Sequence, residues 1–429
     1  MFMKKNYLLI AAAAAMFAAC SDVDSFKSAV DDNETVMIGF ETFHEKTTKA
    51  TANGEIKFPS QLTNARGGFG VWGYKAPATG EAENNPAVID VTSFVPVFEN
   101  VKVWYDATTS ANQTHNHFTY AVPKYWDKES EYVFFAYAPY DKTKASIAEG
   151  TGNITIQDIP QVQDLSDKFT LNGDTIVYRD TTTMAATDYL MASYVPKQKY
   201  KHTNQSSYTE AEQTVGFTFG HMLSKFQVNI KPFDTYAGIK NLRIDTLTIS
   251  NMPSLGGNLV SFTQVSPTAP KGDYSTTHYT SSFNIIVNNK STTVATDATL
   301  SDSLYILKNG TAIVESGEIV GNTIPDSLWQ QFNYFVVPND PSGNTDDDNK
   351  NYILNLGYTI EYVDDIVEHV SVAPVNLHSI LPKFEQNNYY ILTIIIKMNE
   401  ILFTVDSITD WEPLTNNTNS TAEQTVTIE

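Results

Sequence analysis

The residues able to do chemistry in this chain are few and widely scattered. Its single cysteine, Cys20, excludes an internal disulfide framework and any multi-thiolate zinc or iron–sulfur site. His115 and His117 flank Asn116 and could present two imidazoles on one face of a strand, but no acidic or histidine partner is identifiable, so a loop or exposed strand is expected there. His221, beside Met222 and Leu223, reads as a packed structural histidine. Asp340, Asn344, Asp346, Asp347 and Asp348 gather around Ser342 and Gly343 with the oxygen ligands and the turn that calcium favours. The EF-hand spacing and its terminal glutamate are absent, and a solvated acidic loop is expected. No serine nucleophile elbow, zinc-protease helix motif, phosphate-binding glycine loop or cysteine nucleophile occurs. Carboxylate pairs are too common among 49 acidic residues to mark a glycosidase dyad. The five tryptophans, Trp72, Trp104, Trp126, Trp329 and Trp411, lie in or near strand patterns and are expected in cores more than on a sugar-stacking platform. The reading is of a protein that is not an enzyme and has no metal and no cofactor.

Cys20 has a different use. Lys4 and Lys5 precede an apolar run over residues 7–19, too short to span a bilayer comfortably and suited to a cleavable signal. Phe17, Ala18, Ala19 and Cys20 look like a lipobox, with small residues before a thiol that receives lipid; Phe17 stands where leucine is usual. Ser21, Asp22 and Asp24 resemble an acidic surface-export signal. The expectation is a signal peptide over 1–19, passage through lipoprotein export machinery, and attachment to the outer membrane, facing outward, through lipid on Cys20.

The elements that follow are strands. Residues 20–35 are polar and acidic and read as a tether. Val36, Ile38 and Phe40 alternate at period two, and Glu45 to Lys49 then form a polar break. Strand signals recur at Phe69–Tyr74, Val101–Tyr105, Tyr132–Ala138, Val215–Phe219, Lys225–Ile230, Leu242–Ile249, Phe332–Val337, Tyr352–Tyr358, Tyr389–Ile396 and Leu402–Val405, punctuated by glycine, proline and asparagine turns. Helical periodicity is scarce. Short strands between turn signals argue for an all-β chain of two sandwich domains, 36–185 and 186–429, with Lys197–Gln213 as a polar loop. Tyr132–Pro139 and Asn333–Pro338, both aromatic strands ended by proline, hint that the two domains are related. A formal charge of −21 repels phosphate backbones and argues against nucleic-acid binding.

In order along the chain, several segments resemble the fimbrillins, surface lipoprotein pilins of the Mfa-like group. They are the lipobox at Cys20; Ile38–Phe40 followed by Thr47, Thr48, Lys49 and Ala50; Phe69 to Tyr74; Tyr125 and Trp126 with Tyr132–Tyr137; Asp188 and Leu190–Ala192; Phe219, His221 and Leu223–Lys225; and Asp410 with Trp411. The resemblance implies two transthyretin-like β-sandwich domains in tandem and assembly into a pilus at the cell surface. It implies a trypsin-like protease that cuts after a basic residue beyond the first strand, leaving a groove that another subunit's strand fills. Lys49 stands where the family often has arginine; Lys46 and Arg66 are the alternative sites. The removable strand would carry Val36, Ile38 and Phe40.

The tail offers a candidate donor strand. Within 412–429 a polar linker is followed by Gln424–Glu429, where Val426 and Ile428 alternate with polar residues. Donation to another subunit makes this chain a stalk subunit; self-pairing within its own domain suits a tip or anchor subunit. A surface lipoprotein that binds glycans or host ligands without polymerising is the third reading.

Overall fold

The computed structural model describes residues 36–43, 56, 59–77, 91–108, 117–127, 129–164, 168–172, 175–179, 186–199, 214–232, 238–253, 258–269, 271–274, 282–286, 304–308, 311–312, 330–340, 351–397, 400–409 and 420–427. Among them the chain is all-β apart from one 3-10 turn at Pro59–Gln61. Runs of Val, Ile, Phe, Tyr and Thr, broken by turn residues, fit a pleated surface buried on at least one face.

The N-terminal sheet has eight strands. In order across the sheet they are Gly39–Phe43, Thr214–His221, Leu190–Ala192, Ser130–Ala138, Phe69–Pro77, Val95–Tyr105 and Phe118–Tyr120, with Val195–Lys199 also pairing to Ser130–Ala138. The two ends of this order meet. Met37 forms a bridge with Tyr125, and the Ile38 amide donates to the Lys124 carbonyl at 2.8 Å. The sheet therefore curls on itself, and its inner face encloses one core.

Ser130–Ala138 is buried along its whole length because it separates two cores. Tyr132, Phe134, Ala136 and Ala138 face the enclosed core; Val133, Phe135 and Tyr137 face a second one on the outside. This is the pleat alternation with apolar residues on both faces. Phe69–Pro77 repeats it, with Phe69 and Val71 inside and Trp72 and Tyr74 outside. The second core is completed by a four-stranded sheet of Gly272–Tyr274, Val260–Gln264, Asn153–Ile159 and Ala145–Ala148, which supplies Ile154, Ile156, Val260 and Phe262.

A third core lies in the C-terminal part, between a six-stranded and a seven-stranded sheet. The six-stranded sheet runs Ser420–Thr427, Glu400–Thr409, Asn388–Ile396, Ser224–Pro232, Gln330–Val336 and Val162–Asp164. Ile239–Ser250 and Ile353–Tyr362 are central in the other sheet. Phe226, Val228 and Ile230 from the first and Leu354, Leu356 and Tyr358 from the second share this core. The strand signal at Tyr389–Ile396 lies within Asn388–Ile396, with Leu392, Ile394 and Ile396 covered.

Thr214–His221 and Ser224–Pro232 lie in different sheets, joined through Met222 and Leu223. Leu190–Ala192 and Thr214–His221 belong to the N-terminal sheet, and two further pairings join residues before and after 185: Val162–Asp164 with Gln330–Val336, and Asn153–Ile159 with Val260–Gln264. Residues 197–199, expected in a loop, are strand, because the backbone of Val195–Lys199 continues along Ser130–Ala138. Pairing of that kind leaves no mark in a polar sequence.

Candidate functional site

The segment 36–43 enters the N-terminal core as its closing member. Ile38 and Phe40 have no exposed surface, and Val36 packs partly against the same core. Alternation sends these three side chains to one face. The Phe40 ring lies at 5.2 Å from Phe98, 5.7 Å from Tyr120 and 5.9 Å from both Phe134 and Phe217, edge-on to all but the last, on which it stacks. Burial of Ile38 and Phe40 stabilises by roughly 1.5–3 kcal/mol each, and the aromatic contacts add to that.

Backbone bonds fix the segment on both sides. Gly39–Phe43 runs parallel to Thr214–Thr218, with Phe40 opposite Val215 and Thr42 opposite Phe217. On its other side the Ile38 amide bonds to Lys124, the Trp126 amide donates to the Val36 carbonyl at 2.9 Å, and the Tyr120 hydroxyl donates to the Ile38 carbonyl at 2.7 Å. Burial pushes the Tyr120 phenol up to about 12. Without this segment both the ladder of Thr214–Thr218 and the apolar pocket beneath it would lie open.

Twelve residues, 44–55, connect Phe43 to Ile56. Ile56 is buried, and its amide donates to Asp188 Oδ2 at 2.9 Å. The other oxygen of Asp188 accepts from His221 Nδ1 at 2.9 Å, with the Asp188 side chain fully covered. His221 is thus a structural histidine whose carboxylate partner, 33 positions earlier, has no signature in sequence. The pair fixes the point where the chain re-enters the fold after the connection.

Lys46 and Lys49 lie in that connection, and they fall outside the described residues, as does Cys20. Arg66 is exposed but sits in a closed turn. Its amide donates to Thr63 O at 3.1 Å, and the Gly68 amide donates to the same oxygen at 2.9 Å. Gly67 and Gly68 have positive φ, and a Cβ on Gly68 would stand 2.2 Å from the Val103 carbonyl oxygen, so the turn is pressed against its neighbour.

The tail strand Ser420–Thr427 lies antiparallel to Glu400–Thr409 at the edge of the six-stranded sheet, with Val426 opposite Ile401. Ile428 falls outside the described residues. His117 leans on Tyr105, ring centres 5.3 Å apart, while His115 is outside. Of the acidic stretch only Asp340 is described, next to Asn339, whose backbone pairs with Phe384. Trp72 and Trp126 are buried, against Tyr137 and Tyr132 respectively; Trp104 is half-buried; Trp329 and Trp411 are outside. Among the described residues no cluster of three or more His, Cys, Asp or Glu side chains could hold a metal ion.

A fimbrillin-like family model matches residues 48–411. No curated protein sequence matches. Among solved structures, a fimbrial protein from Bacteroides vulgatus ATCC 8482 aligns with a TM-score of 0.50 at 16% identity, covering 88% of this chain and 100% of that one. A candidate cell adhesion protein from Bacteroides uniformis ATCC 8492 aligns at 0.39 and 15% identity, covering 89% and 100%. The C-terminally truncated tip fimbrial protein Mfa3 from Porphyromonas gingivalis aligns at 0.22 and 9%, covering 79% and 93%. The family match spans most of the sequence, and the chain belongs to the fimbrillin-like family.

Proposed function

We propose that this chain is a structural subunit of a cell-surface pilus, exported as an outer-membrane lipoprotein through Cys20, cut after Lys49 by a trypsin-like protease, and polymerised by strand exchange as a stalk subunit. The observation that carries the reading is the segment 36–43. It fills an apolar pocket and a backbone ladder as an internal strand would, yet it is followed by the polar connection 44–55, which carries Lys46 and Lys49. Cutting there frees the segment to leave, and the pocket it vacates accepts an alternating strand from another copy. Arg66 is the poorer site, because a protease needs an extended segment and Arg66 is held in a hydrogen-bonded turn.

The tail supplies the donor. Val426 and Ile428 would take the places of Ile38 and Phe40, and the tail is released by breaking one ladder at a sheet edge. That the same tail pairs with its own sheet favours a second reading, a tip or anchor subunit that keeps it at home.

Two measurements test the proposal. N-terminal sequencing of the surface form should give Ala50; a mature protein that still begins at lipidated Cys20 in fibres would refute the processing step. Deleting Gln424–Glu429 should abolish fibres, and undiminished fibres would reject this tail as donor.

A further inference from the structure

The strand that the proposed cleavage would free carries one flaw. Alternation puts Val36, Ile38, Phe40 and Thr42 on one face of the segment, and that face is turned into the enclosed core. Three of the four side chains are apolar and suit it. The fourth, Thr42, is 6% exposed and stands opposite Phe217, and its hydroxyl has no hydrogen-bond partner among the described residues. The core-facing side chains of the neighbouring strand, Val215, Phe217 and Phe219, have no atom that could serve as one.

Elsewhere the fold satisfies its buried hydroxyls. Among the described residues Ser130 donates to Asp127, Ser224 to the Glu385 carbonyl and Thr359 to Asp245, while Thr393 accepts from Asn229. Those four side chains belong to residues only 0–7% exposed, so depth of burial does not explain the orphan. A buried hydroxyl without a partner forfeits its bonds to water and gains none in return. Valine would present the same branched shape, with a methyl where the hydroxyl stands, and would suffer no such loss. The position along the strand matters too. Thr42 lies next to the connection 44–55, whereas the bonds to Lys124, Trp126 and Tyr120 on the second side of the segment are made by Val36 and Ile38 at its other end.

We propose that Thr42 is a release point built into the first strand. Its orphan hydroxyl weakens the hold of the segment next to the cut, so the segment peels from that end. An entering strand that buries no hydroxyl at this place is held more tightly there than the strand it displaces. The inference rests on the strand-exchange reading and names the residue that biases the exchange. Before cleavage the flaw is tolerated, because the connection tethers the segment and keeps it at high effective concentration beside its groove. After cleavage the tether is gone, and the same flaw favours departure.

The test uses the full chain cut after Lys49, with the excised piece still seated, and a labelled peptide of residues 34–44 as the entering strand. Uptake of label reports release of the resident segment. The Thr42→Val chain should take up label about tenfold more slowly than the unsubstituted chain, the factor that relief of one unpaired polar group implies. Thr42→Ser, which keeps the hydroxyl and loses the methyl, should not slow uptake. Equal rates for Thr42→Val and the unsubstituted chain, or slower uptake by Thr42→Ser, would overturn the release point and leave strand exchange standing. No uptake by any of the three would overturn strand exchange and the release point with it. Thermal unfolding of the uncut chain is independent of exchange: Thr42→Val should raise the midpoint by about 2–4 °C, and an unchanged or lowered midpoint would overturn the inference.

Discussion

The first and last strands of the chain are held in opposite ways. Gly39–Phe43 and the residues before it are bonded on both sides, to Thr214–Thr218 and to Lys124 and Trp126, and bury Ile38 and Phe40 completely. Ser420–Thr427 has one neighbour, Glu400–Thr409, at a sheet edge, and its sequence, STAEQTVT, is mostly polar. An edge strand of that composition leaves with little apolar surface exposed. A strand that closes a core leaves only when something replaces it. The first strand is thus a core element, and the last is an edge element.

Substitutions should widen or narrow that contrast. Phe40→Ala removes the ring at the centre of the aromatic cluster and should destabilise the unprocessed chain by about 4 kcal/mol, read by denaturant unfolding; a loss below about 1 kcal/mol would mean that the segment is not a core element. Asp188→Ala strips His221 and the Ile56 amide of their shared acceptor and should cost about 3 kcal/mol, with the segment after the connection becoming the first site of proteolysis. A smaller change belongs to Tyr120. Burial raises its phenol from 10.0 to about 12, so its contribution is intact below pH 10 and is lost as pH rises from 10 towards 12. Alkaline titration should loosen the first strand in that window, and Tyr120→Phe should reduce the effect. Smallest of all, deleting Gln424–Glu429 should change the stability of the monomer by less than about 1 kcal/mol, and a larger loss would show that the tail is integral to its own domain.

Much of this contrast could be read from residue order. Val36, Ile38 and Phe40 alternate plainly, and the aromatic runs at Phe69–Tyr74 and Tyr132–Ala138 announce strands by composition. Their burial on both faces follows from having no polar alternation at all. What lay beyond reach was long-range register. Leu190–Ala192 is three residues long and gains its place only from its two neighbours. Val162–Asp164 pairs with Gln330–Val336, and Val260–Gln264 with Asn153–Ile159, each far apart in sequence. The Asp188–His221 pair was equally hidden, since a carboxylate and an imidazole 33 residues apart meet only when two strands align.

The most direct test is amide hydrogen exchange of Thr214–Thr218, the ladder beside the first strand, in three states of the same protein. In the unprocessed chain these amides should be protected. In processed monomer freed of residues 1–49 they should exchange rapidly, and in assembled fibres protection should return. Equal protection in all three states would contradict the account, because it would mean that the ladder never lost its partner and never gained another.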